Sequence, residues 1–193
     1  MEIPRYIYDL YMIAKESFTL YEQGERLRSI EFAYQLRDVA DHLVIGSQQT
    51  DQAQANLEFQ QVADHLMRIA IDPLQRATQR RVLRINGILQ QYGRHRLIHD
   101  MPDPYYVEQT LELVDIELEE GRRLKGRIDP TEARHCFEHM QEAYTLALNT
   151  ERTLNNALQS ISIRVQLIAI IATVSAFILA IISIILSLIP LLK

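Results

Sequence analysis

The sequence predicts an all-α chain: a helical bundle whose long C-terminal helix continues into a single transmembrane helix. Three observations lead there. Leu167 to Leu192 contains no charged residue. The rest shows apolar residues at helical spacing between glycine and Asp-Pro breaks, with no strand-like alternation. Finally, Thr131 to Ile189 holds neither glycine nor proline, so both halves can belong to one helix.

The apolar run, LIAIIATVSAFILAIISIILSLIPLL, is long enough to cross a bilayer. As a helix, Leu167–Ile189 spans about 35 Å against about 30 Å of hydrocarbon. Arg152 and Arg164 precede it and only Lys193 follows, so positive charge puts the large N-terminal part in the cytosol. The N-terminus, MEIPRYIYDLYMIAK, has early charges and no apolar core of a secretion signal. A single cysteine, Cys136, excludes an internal disulfide framework and fits a reducing compartment. The net charge of −5 averages an acidic soluble part with an uncharged anchor. Residues 1–128 are expected to form the bundle, 129–164 a long helix with coiled-coil character, and 165–192 the anchor.

A first helix is expected near 4–22, stopped by Gly24, and a second near 25–45, stopped by Gly46. Asp72-Pro73, Asp103-Pro104 and Asp129-Pro130 each read as an N-cap followed by a first-turn proline. They divide the remainder into helices near 51–71, 73–92 (closed by Gly93), 104–122 and from 131 onward. Glu132 strengthens the last start as a variant capping box.

The final helix carries two patterns. Phe137, Met140, Tyr144, Ala147, Glu151, Leu154, Leu158, Ile161, Val165 and Ile168 alternate steps of three and four, with Glu151 the one polar break. That period suits a left-handed helix pair, within the domain or between copies. In the apolar run, Ala169, Thr173, Ala176, Ala180, Ser183 and Ser187 repeat at 4-3-4-3-4, and Gln166 extends the row. Small and hydroxyl residues on one face let membrane helices approach closely, so a homo-oligomer in the lipid bilayer is expected. The same face could line a narrow pore.

Candidate chemistry is sparse. No Gly-rich phosphate loop, nucleophile elbow or Cys/His metal spacing is present, so neither cofactor nor metal is expected. His135 and His139 are four apart, but no third ligand accompanies them. Between Pro73 and His99 there is no acid, and Arg76, Arg80, Arg81, Arg84, Arg94 and Arg96 make a basic segment. Arg76, Arg80 and Arg84 form a ridge suited to phosphates of RNA, a nucleotide or a lipid headgroup, or to a charged partner protein. Asp100 to Glu120 then carries eight acids and no base, so the two segments could also neutralise one another.

Arginine followed five residues later by histidine occurs at Arg37/His42, Arg94/His99 and Arg134/His139. This spacing resembles the motif of HEPN proteins, all-helical domains that include metal-independent ribonucleases of prokaryotic defence. The segment LRDVADHL, residues 36–43, looks most like it. The resemblance implies that Arg37 would stabilise a phosphorane and His42 would move protons, beside the same pair of a second protomer. A structural alternative pairs Arg37 with Asp41 and leaves His42 near a helix end. The overall layout is similar to membrane effectors and accessory proteins of prokaryotic antiviral systems, including the membrane accessories of RNA-targeting CRISPR systems. It implies a non-enzymatic, membrane-perturbing effector or adaptor, with a single-pass anchor in the cell inner membrane. A tethered HEPN-like ribonuclease and a tail-anchored coiled-coil tether of the syntaxin kind are the alternatives.

Overall fold

The computed structural model describes residues 2–25, 30–92, 105–125 and 129–188, the last segment with side chains through residue 179. Among them there are five helices and no strand: α1 Arg5–Glu25, α2 Ile30–Gln48, α3 Gln52–Tyr92, α4 Tyr106–Leu124 and α5 Pro130–Leu188. The all-helical expectation holds, and so does a single long C-terminal helix that includes the apolar segment.

The helix starts show which local signals act. Asp129 caps α5: its Oδ1 accepts the backbone N–H groups of Thr131 at 3.0 Å and Glu132 at 3.1 Å. Asp51 caps α3 in the same way, through Ala53 N–H at 3.0 Å. Asp103-Pro104 and Gly93 lie outside the described residues.

Asp72-Pro73 does not open a helix. Helix α3 runs through it for 41 residues with Pro73 inside. An internal proline costs a helix about 3 kcal/mol through one lost hydrogen bond and a clash with the preceding turn. Burial offsets it here: Ile69, Ala70, Ile71, Leu74 and Ala77 around the proline are all core residues. The Ser17 hydroxyl of α1 also donates to the Ala70 carbonyl, on the turn that the proline disturbs. Asp72 does not cap. It accepts an ion pair from Lys125 at 2.7 Å and lies 3.9 Å from Arg76.

Gly24 and Gly46 do not end their helices either; α1 reaches Glu25 and α2 reaches Gln48. Both are close-packing positions. A Cβ on Gly24 would overlap the Tyr144 hydroxyl of α5, and one on Gly46 would lie 3.1 Å from the Phe59 ring of α3.

Helices α3 and α5 are the central pair. Helix α1 packs on both, α2 lies along α3, and α4 lies along α5. The main core joins Leu10, Phe59, Leu66, Leu74, Phe137 and Tyr144. A smaller cluster, Ile85, Leu89, Val107, Leu154 and Ala157, closes the end where α5 leaves the bundle. The heptad of α5 is therefore largely used inside the domain: Phe137, Met140, Tyr144, Ala147 and Leu154 are buried. Val165 and Ile168 further along are exposed.

From residue 162 to residue 179 every side chain of α5 is exposed. The helix contains an 18-residue window with mean hydropathy 2.1 and none of it buried, long and apolar enough to cross a membrane.

Candidate functional site: an apolar helix and a row of arginines

Two surfaces need an explanation beyond folding. The first is the bare part of α5. Ile163, Val165, Leu167, Ile170, Val174, Phe177 and their neighbours present large apolar side chains that are exposed among the described residues. An exposed surface of that extent on a lone helix is one that lipid or another copy must shield. Gln166, Ala169, Thr173 and Ala176 of the small-residue row lie on this exposed stretch. The Thr173 hydroxyl donates to the Ala169 carbonyl at 2.8 Å, so the row offers close backbone approach rather than a free hydroxyl at that position. The side chains of Ala180, Ser183 and Ser187 lie outside the described residues.

The second surface is the arginine row of α3. Among the described residues the arginines meet acids of α1, α2 and α5, and no acid of α4 pairs with them. Arg76 makes a two-pronged pair with Glu31 of α2, 2.9 Å at the longer contact. Arg84 Nε lies 2.7 Å from Glu151 Oε1 of α5. Arg80 comes only to 3.9 Å of Glu25.

Arg81 is not on the ridge at all. Its side chain is 7% exposed, between Glu25 at 6% and Glu151 at 12%. Its Nη1 pairs with Glu151, and its Nη2 donates to Glu25 at 2.5 Å, to the Gly24 carbonyl at 3.2 Å and to the Tyr144 hydroxyl at 3.3 Å. Burial acts against its charge, but Tyr144 and the two carboxylates outweigh it and raise the guanidinium's affinity for its proton. Burial likewise raises the Tyr144 hydroxyl. Arg94 and Arg96 lie outside the described residues.

Sequence reasoning missed Glu25, Glu151 and Tyr144 as the partners of Arg81. One signal was present: Glu151 is the sole polar residue in an otherwise apolar heptad, and a buried carboxylate requires a cation. It also missed Arg68 and Asp72, which extend the four-residue row of Arg76, Arg80 and Arg84 toward the N-terminus of α3.

Arg37 and His42 do not meet. Five residues on a helix place them about 140° apart. Arg37 is exposed; it pairs with Asp38 at 2.9 Å, not Asp41, and lies 5.4 Å over the Tyr34 ring. His42 Nδ1–H donates to Glu58 of α3 at 2.7 Å, and its ring stacks on His65, 5.4 Å between centroids. His65 in turn donates to Gln35 at 2.7 Å. Arg134 and His139 are occupied in the same manner, by Glu16 and Glu117, both at 2.6 Å. Arg94/His99 lies outside the described residues. Each described histidine of these motifs thus joins two helices through a carboxylate.

No family model, curated protein or solved structure matches the chain.

The occupied geometry gives an expected result for His42→Ala. The loss is one partly exposed hydrogen bond, about 1 kcal/mol of stability. Folding, oligomer size and cellular activity should be retained. A ribonuclease that used His42 for proton transfer would lose about 10²–10⁴ in rate without unfolding, so RNA cleavage by the wild type and not by this variant would overturn the structural role.

Proposed function

We propose that the chain is a membrane-anchored effector or adaptor that assembles through its apolar helix and acts on the bilayer. The observation that carries this reading is the continuity of α5. One unbroken helix contributes Phe137, Tyr144 and Leu154 to the core and then leaves as a bare apolar rod. A bundle built around the root of a membrane helix transmits its position to the membrane without a hinge.

The orientation follows Arg152 and Arg164, which favour a cytosolic bundle and an inner-membrane anchor. The setting in prokaryotic antiviral defence rests on the resemblance of layout. The tethered ribonuclease is the second reading, and the divergence of Arg37 and His42 speaks against it within one protomer.

The experiment is expression of the full chain with a potential-sensitive dye, a dye-entry readout and an RNA integrity assay in parallel. Depolarisation or dye entry with intact RNA is expected. Intact membranes with cleaved RNA would replace this reading by the ribonuclease.

Assembly has its own test. In detergent, Ala169→Leu with Ala176→Leu should weaken self-association by about 1–2 kcal/mol, about five- to thirtyfold. Ile171→Leu with Ile178→Leu, on the opposite side of the helix, should leave it unchanged. Equal effects at both pairs, read by analytical ultracentrifugation, would remove the small-residue face as the contact.

A further inference from the structure

Where Pro73 interrupts the hydrogen-bond ladder of α3, a pocket of about 200 Å³ opens between α1, α2 and α3. Its apolar floor is Tyr21, Phe32, Ile69 and Pro73, and its polar wall holds Gln35, Arg68, Arg76 and Arg80 with the carboxylates of Glu31 and Asp72. Phe32 stacks on Phe18, 3.5 Å between ring centroids, which fixes that side of the floor.

The carboxylates of this wall are already engaged. Glu31 holds Arg76, and Asp72 takes Lys125 at 2.7 Å. Glu25, the nearest acid to Arg80, is bound by Arg81 at 2.5 Å. Two guanidiniums are left in excess. Arg68 makes no hydrogen bond or ion pair among the described residues, and Arg80 comes no closer than 3.9 Å to its acid. The Gln35 carbonyl oxygen accepts from His65, so its amide N–H groups remain as donors on the same wall. The pocket therefore has donors and positive charge to spare, and its acceptors are taken.

We propose that this pocket binds a compact soluble molecule carrying two or more phosphate groups. Two phosphates suit it better than one because two guanidiniums line the pocket from positions twelve residues apart on α3, about 18 Å along the axis. Fork-shaped guanidinium donors match phosphate oxygens. The volume lies below that of pockets for drug-sized ligands, about 300 Å³ and upward, so only a small anion fits within it.

Lipid headgroups are too far away, a statement that rests on the membrane reading above. Arg81 is pinned to Glu151, and from there to Val165, where the apolar stretch begins, α5 rises about 21 Å. Arg68 lies farther still, beyond a headgroup layer of about 5–8 Å. The pocket itself does not depend on the anchor.

The test is calorimetric titration of the full chain in neutral detergent at low ionic strength, with pyrophosphate and ATP as probes. Saturable binding of pyrophosphate is expected. The double variant Arg68→Ala/Arg80→Ala should weaken it about tenfold or more. Glu31→Gln, which releases Arg76 toward the ligand, should tighten it severalfold; a merely structural role for these residues would not produce that gain. Arg123→Ala, which removes an exposed arginine of α4 paired with Glu120, should have no effect. Circular dichroism of each variant confirms its fold. No saturable binding to either probe would overturn the proposal, as would equal weakening by Arg123→Ala. So would capture of anionic vesicles or a single-stranded RNA without binding of the small probes. Loss of the membrane reading alone, with pyrophosphate still bound, would leave the pocket standing and reopen only the headgroup as its source.

Discussion

Arg81→Ala should destabilise the bundle by about 3–5 kcal/mol, more than the removal of any other described charge. The guanidinium joins three helices at one point: α3 carries it, α1 supplies Glu25 and the Gly24 carbonyl, and α5 supplies Glu151 and Tyr144. The cost of the substitution is only partly the lost bonds. It also leaves two carboxylates, 6% and 12% exposed, without their cation. Arg84 at 2.7 Å from Glu151 and Arg80 at 3.9 Å from Glu25 remain at the rim, so the effect should fall toward the lower end of the range.

A companion variant separates the two contributions. Arg81→Met combined with Glu25→Gln and Glu151→Leu removes the charges together, and it should recover most of the stability that Arg81→Ala loses. Denaturant midpoints of the detergent-solubilised chain measure both. A loss below about 1 kcal/mol for Arg81→Ala would show that solvent reaches this network and that it is no more than a surface ion pair.

Truncation after Arg164 should release the protein from membranes completely while leaving the bundle's stability within about 1 kcal/mol. The bundle's innermost contacts on α5 end near Leu154 and Ala157, with Leu158 and Ile161 half-buried behind them. The apolar window beyond is entirely uncovered. Transfer of Leu167–Ile189 into a bilayer favours the membrane by about 5–9 kcal/mol, summed over Leu, Ile, Val and Phe at helix-centre values. Carbonate-washed membranes should retain the full chain and none of the truncated one, and thermal unfolding should superimpose in the bundle. A truncated chain that still sediments with membranes would assign the anchoring to another surface.

The fold class was legible because its signals are local and strong. An uncharged run of this length, the Asp129 cap and the apolar spacing of α1 and α5 each act within a few residues. Asp72-Pro73 misled because the same dipeptide caps a helix in isolation but is overridden when its neighbours Ile71 and Leu74 are wholly buried. Gly24 and Gly46 misled similarly: a glycine that fits a neighbouring helix's aromatic ring looks, in sequence, like one that stops a helix. The ridge was legible as spacing, but its partners were not. Glu31 is 45 residues from Arg76 and Glu151 is 70 from Arg81, and no local rule pairs residues at such separations. Within one chain the described acids of α4 are not the partners of these arginines, because α4 lies along α5 instead.

The unbroken run of α5 from Pro130 to Leu188 sets a geometric condition on any assembly. Counting about 100° per residue, Ala176 lies about 20° around the helix axis from Glu151, so the small-residue face points toward the side that the bundle occupies. Two copies that touch along that face would have helix axes about 8–10 Å apart in the bilayer. Alongside the N-terminal helices, at least one layer of helix from each copy would have to fit between the same two rods. The rods therefore cannot run parallel: they must diverge from the membrane as a V, and the angle of that V is fixed by the thickness of the helices wedged into its mouth.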